Sequence, residues 1–208
     1  FQQRDYAFTE LSVRDSLIGI RAASGGTARL TELFLTGNGV GLQALGGATP
    51  TLTGSDLHDN TRFGVENQNP ATVVLATGNW WGDLSGPADP VGNPSGLGDP
   101  VSTGVDYGQF LSTPPLLNCA VTPQDGYSTR SATITLQLAC TNATDYRVSE
   151  LADLSDASFV PMATSATFTL SATPGEKTIY AEYRGTDGAT RIVSITQPIL
   201  YAPDGPQI

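Results

Sequence analysis

Four side chains in the first third of the chain are of the types a hydrolase or lyase uses. Glu10 and Glu32 stand 22 residues apart, and His58 sits between Asp56 and Asp59. Two carboxylates across a sugar bond divide acid and base work between them. An imidazole oriented by a carboxylate is a general base. A carboxylate pair on a sheet face is more often two solvated side chains. His58 is also the single histidine of the chain and has no cysteine near it. No glycine-rich phosphate loop joined to a helix is present. Glu10, Glu32, Asp56 and His58 are therefore weak catalytic candidates, and a non-enzymatic role is the expectation, with an enzyme as the alternative. Asp83, Asp89, Asp99 and Asp106 could chelate calcium through several oxygens. Their spacing matches no ion loop, so turn formation is the expected role. No cofactor is expected, with calcium the one alternative.

The elements that position these residues follow from a repeat. "LSVRDSLIGIRAA" recurs 22 residues later as "LFLTGNGVGLQAL". Phe8, Leu30 and Leu52 form one column; Leu11 and Leu33 another; Val13, Leu35 and Leu57 a third. After one inserted residue Ile18, Val40 and Phe63 match, as do Gly19, Gly41 and Gly64. A unit this short cannot bury its own apolar face, whereas stacked units can. Apolar residues alternate within each run, which is the period of a strand and not of a helix. The unit is thus one coil of a β-solenoid, with rungs ~4.8 Å apart. Ser16, Asn38, Asn60 and Asn79 are read as an asparagine ladder. Asparagine tolerates left-handed corners, and stacked amides bond from coil to coil. This register puts Glu10, Ser12 and Arg14, then Glu32, Phe34 and Thr36, then Asp56 and His58 on the outer face.

The segments "DNTRFGV", "ATGNWWGDLSGP" (76–87) and "GNPSGLGDPVSTGVDYGQFLSTPP" (92–115) resemble the C-terminal coils of right-handed parallel β-helix proteins, the pectin-lyase-like superfamily. The resemblance implies the handedness and a closing cap over the last coil. It also implies that lyases and hydrolases are among the relatives. Trp80 and Trp81 fall where the repeat ends. At least one is expected to plug the core, since an open solenoid end exposes apolar side chains and unpaired backbone. An aromatic platform for sugars is the rival reading. At the other end, the first coil starts near Tyr6. Its edge is expected either to be covered by coils upstream or to dock on another chain, and docking on a neighbour's β-rich surface would grow head-to-tail into a filament.

Pro114-Pro115 marks a stiff link, and the repeat stops there. Six or seven strand-like runs follow, separated by "PQDGYS", "TNAT", "TPGE" and "GTDGAT". They predict an antiparallel sandwich. "TIYAEYRGTDGATRIVSIT" and "ACTNATDYRVSE" are similar to immunoglobulin-like or fibronectin type III-like modules of bacterial surface proteins. Cys119 and Cys140 are either buried thiols or one disulfide. As a disulfide they close a loop of ~20 residues, a contribution of about 3 kcal/mol in the loop-entropy model. Asn142 opens a glycosylation sequon, to which we assign no role.

The organisation expected is all-β: a short parallel β-helix and cap over 1–115, then a sandwich over 116–208. The net charge of −10 argues against nucleic acid and anionic membranes. No apolar run reaches the ~18 residues of a membrane span, and no signal peptide is visible. The expected role is structural or adhesive, extracellular or at a cell surface, with other protein chains, upstream coils or glycans as partners. The alternative is the C-terminal fragment of a polysaccharide lyase or glycoside hydrolase, or a carbohydrate-binding module.

Overall fold

The computed structural model describes residues 5–23 and 25–203. It contains strands, turns and bends, and no helix among the described residues. The chain divides into two compact units, Phe1–Leu117 and Asn118–Ile208.

The first unit is a parallel β-solenoid of about three turns. Coil one contributes β1 (Asp5–Thr9), β2 (Ser12–Arg14) and β3 (Ile18–Ala22). Coil two contributes β4 (Thr27–Thr31), β5 (Phe34–Thr36) and β6 (Val40–Ala44). Coil three contributes β7 (Thr51–Thr53) and β8 (Phe63–Asn67), and β9 (Val74–Leu75) opens the next turn. The closing segment adds β10 (Pro87–Ala88), β11 (Gly98–Pro100) and β12 (Val105–Asp106). Every coil-to-coil pairing is parallel. Phe8 lies opposite Leu30 and Leu30 opposite Leu52, in the sheet ordered β1-β4-β7-β9-β12. Val13 lies opposite Leu35, and Leu42 opposite Val65.

Alternation inside each short strand decides which side chains go in. Leu30, Leu33, Leu35, Leu42, Leu52, Leu57 and Val65 are fully buried and form one cluster. Each such side chain is worth ~1.5–3 kcal/mol removed from water. The glycine column has a steric cause. A Cβ on Gly19 would lie 2.7 Å from the Gly41 carbonyl oxygen, and one on Gly41 would lie 2.6 Å from that of Gly64. A Cβ on Gly64 would meet the Trp81 ring at 2.9 Å. Only glycine lets the rungs approach there, and Trp81 closes the stack.

The second unit is antiparallel in its main sheets. It holds β13 (Leu117–Pro123), β14 (Ser128–Thr129), β15 (Thr133–Thr141), β16 (Asp145–Ser149) and β17 (Val160–Pro161). It continues with β18 (Ser165–Thr169), β19 (Gly175–Lys177), β20 (Tyr180–Arg184), β21 (Thr190–Ser194) and β22 (Ile199–Tyr201). One sheet runs β13-β15-β18 and another β17-β16-β20-β21; a smaller one, β14-β22-β19, includes a parallel pair. Leu136, Leu138, Tyr146, Ile179, Ala181 and Tyr183 are buried. Tyr183 donates its hydroxyl hydrogen to the Ala120 carbonyl, joining the two larger sheets. The run "TRIVSITQPILYA" is divided into β21 and β22 across Pro198, and "EKTIYAEYRG" into β19 and β20. Proline supplies no N–H to a ladder, so a break there is the expected effect. Cys119 and Cys140, on neighbouring strands, form a disulfide.

Candidate functional site

The two glutamates sit at corners of the coil. Glu10 and Glu32 adopt left-handed backbone, φ 56° and 55°. The same corner in the next two turns is made by Gly54 and Gly78, φ 63° and 68°. The Glu10 N–H donates to Thr31 O, Glu32 N–H to Thr53 O, and Gly54 N–H to Gly78 O. The column is therefore a backbone corner whose side chain changes from carboxylate to hydrogen between coils two and three. It carries no carboxylate in the turn that holds His58.

Asp56 departs from the outer, solvent-facing position that the repeat register assigns to it. It is fully buried. Its backbone pairs with Phe34 on one side and Trp80 on the other, so large neighbours flank it in both rungs. Its Oδ1 accepts from His58 Nδ1 at 2.6 Å. His58 is 30% exposed, and its Nε2 lies 3.8 Å from Asp59 Oδ2 on the surface. The hydrogen bond to Asp56 holds the imidazolium form, and the His58 pKa is raised above 6.5 although burial opposes this. The Phe34 ring meets the imidazole edge-on at 5.6 Å, and Arg14 lies over Phe34 at 4.2 Å from the ring centre. The result is a fixed, half-exposed imidazole oriented by a buried carboxylate, which is the geometry of a general base. Glu10 and Glu32, at their corners, belong to a different column from this pair.

Three of the four residues read as the ladder are stacked. The Ser16 N–H donates to Asn38 Oδ1 at 3.1 Å, and the Asn38 N–H to Asn60 Oδ1 at 3.0 Å. Asn38 Nδ2 donates to Val13 O, and Asn60 Nδ2 to Leu35 O. Asn79 stands elsewhere, which corrects the sequence reading. Its Oδ1 accepts from Ser55 N, its Nδ2 donates to Leu52 O, and Ser55 Oγ in turn accepts from Leu33 N. Two polar columns thus run up the coil. The next member of the first is Asp99, whose Oδ2 accepts from Asn60 N at 2.9 Å and Asn60 Nδ2 at 2.7 Å. Burial pushes the Asp99 carboxyl up to about 6, while the hydrogen bonds from Asn60 and the charge of His58 pull it down.

The tryptophans divide their roles. Trp81 is fully buried in the core cluster, and among the described residues its Nε1 has no hydrogen-bond partner. Trp80 is half-buried. The other aspartates of the closing segment are occupied locally. Asp83 accepts from Ser85, Asp89 from Val91 N and from Tyr107 hydroxyl, and Asp106 from Gly108 N. Among the described residues, no three of His, Cys, Asp and Glu gather as a metal ligand set. A further polar column lies outside the sequence reading: Arg21 Nε donates to Gln43 Oε1 at 3.0 Å and Gln43 Nε2 to Glu66 Oε2 at 2.6 Å. The signal was present, since Gln43 follows Arg21 by 22 residues and precedes Glu66 by 23.

A parallel β-solenoid closed by Trp81 after its last coil and bearing one carboxylate–imidazole pair is the class of protein that this fold and site define. No family model matches the chain, and no curated protein matches its sequence.

Proposed function

We propose that the chain is a structural or adhesive segment of a secreted or surface-displayed bacterial protein. In this reading the solenoid belongs with the right-handed, pectin-lyase-like β-helices and acts as a rigid platform. The second unit belongs with the immunoglobulin-like or fibronectin type III-like modules and acts as a spacer or docking module, with other protein chains or glycans as partners. The observation that carries the reading is where the polar side chains are used. Ser16, Asn38, Asn60 and Asp99 bond coil to coil, as do Ser55 with Asn79 and Arg21 with Gln43 and Glu66. These groups stiffen a rod and do not converge on a groove. The disulfide supports an oxidising compartment. The test is retention of the purified protein on surfaces coated with matrix proteins or glycans, beside assays for reducing ends and unsaturated products on acidic and neutral polysaccharides. Retention without product supports the proposal; turnover overturns it.

The second reading, a fragment of a carbohydrate-active enzyme, is favoured by the Asp56–His58 hydrogen bond alone. Under it, His58 is the base and Asp56 its orienting group. Turnover abolished by His58→Ala, with folding retained, would establish it.

A further inference from the structure

The two larger sheets of the second unit differ in charge. Strands β16, β20 and β21 carry Asp145, Arg147, Glu182, Arg184 and Arg191. The sheet β13-β15-β18 has no charged residue in any of its strands, in a chain of net charge −10. Sheets guard their edges with charge, proline, bulges or very short strands. The other edges of these two sheets are guarded in that way. β17 has two residues and ends in Pro161, and β21 carries Arg191. β13 is interrupted by Asn118, φ 52°, its Ala120 carbonyl accepts from Tyr183, and it ends in Pro123. β18 has none of these devices. It lies inside the chain, between β17 and β19, and reads Ser-Ala-Thr-Phe-Thr. Among the described residues its one neighbour is β15. The bonds from Leu138 N–H to Thr164 O and from Leu170 N–H to Ala132 O fix the phase of that pairing. Ala166 and Phe168 therefore bond to β15, while Ser165, Thr167 and Thr169 turn their backbone N–H and C=O away from it. The latter three are exposed, and Ala166 and Phe168 are half-buried.

We propose that β18 pairs antiparallel with β18 of a second copy of the chain, joining the two uncharged sheets into one across a two-fold axis at Thr167. Three features select that occupant. First, the strand is self-complementary. Centred on Thr167, the pairing sets Thr167 opposite its own copy and Ser165 opposite the second copy's Thr169. These are the residues whose N–H and C=O point outward, so each pair exchanges two N–H···O bonds. Threonine and serine hydroxyls also bond favourably across strands. Second, on the half-buried side Ala166 falls opposite Phe168, so a small side chain meets a ring and no two rings collide. Third, two chains of net charge −10 repel one another. The uncharged sheet is where they can meet with no charged strand residue on either side, and a charged partner finds nothing there to pair with. The contact consumes the free edge of both copies, so assembly ends with two chains. The dimer goes beyond the platform role and does not depend on it.

The experiment is sedimentation equilibrium of the full chain across a concentration series, joined to a cross-link. The native cysteines are paired with each other, so an introduced cysteine is the only thiol. The two-fold axis brings the Cα of residue 167 to ~5.5 Å from its copy, inside the reach of a disulfide. Twice the 21.7 kDa chain mass is expected. Thr167→Cys is expected to form covalent dimers on mild oxidation, and Ser194→Cys, exposed on the edge strand β21, to remain uncross-linked. Thr167→Lys sets two like charges face to face at the axis. It is expected to return the mass to that of one chain while the circular dichroism of the folded protein persists, since the Thr167 side chain is exposed. A single-chain mass at every concentration overturns the proposal. So does growth beyond two chains, a dimer that Thr167→Lys leaves intact, or one in which Thr167→Cys fails to cross-link. None of these outcomes needs a substitution in the core.

Discussion

Asp99→Asn is the sharpest test of the ladder. The wild-type carboxyl titrates at about 6 in the fold against 3.8 for the unfolded group. A difference of about 2 units corresponds to ~3 kcal/mol. The sign follows from which state binds the proton more tightly. The folded pKa is raised, so the folded chain holds the proton more strongly. Stability from this group is therefore greatest below pH ~4, declines as pH rises towards ~6, and is flat above. Asparagine is neutral at every pH, and its Oδ1 can accept the two hydrogen bonds that Asn60 directs at Asp99 Oδ2. At pH 7.5 the variant is expected to be more stable by up to ~3 kcal/mol, the advantage shrinking to about zero at pH 4. Urea unfolding followed by tryptophan fluorescence at several pH values measures this. Both tryptophans lie in the first unit, so the signal reports the solenoid's transition. A variant no more stable than wild type at pH 7.5, or a difference that does not change with pH, would falsify the account of Asp99 as the buried terminus of the asparagine column.

Gly41→Ala places a methyl 2.6 Å from the Gly64 carbonyl oxygen; a cost of ~1–3 kcal/mol is expected from forced backbone shifts, while Gly26→Ala, with a nearest contact of 3.4 Å, leaves Tm nearly unchanged. Trp81→Ala is expected to cost ~3–5 kcal/mol, and Trp81→Phe much less, because no bonded N–H is lost; equal losses in chemical denaturation would contradict the plug. His58 is expected by NMR to titrate above 6.5, and Asp56→Asn to lower that value by removing its largest cause. Because the folded value is raised, the stability that the His58–Asp56 pair adds is fully present below pH 6.5 and lost as pH rises through the folded pKa.

The repeat was legible because a solenoid turns sequence spacing directly into spatial contact. A step of 22 residues places Phe8 against Leu30 and Leu30 against Leu52, so columns of like residues are also columns in space. The column Val13, Leu35 and Leu57 marked the inner face for the same reason. The legibility ends where the coil length changes. Between coil three and the closing segment the chain inserts a loop, and the residue above Asn60 comes 39 positions later, at Asp99. Asn79, with the right residue type and nearly the right spacing, belongs to the column of Ser55. Whether Asp56 faces water was not decided by its alternation but by the size of its neighbours in the rungs on either side, Phe34 and Trp80. The sequence alone thus determined the winding, the inner columns and the position of the plug, since each depends on local periodicity. The tertiary structure decided the depth of Asp56 and the membership of the polar columns, because these depend on the side chains in the neighbouring rungs and on the loops that change the coil length.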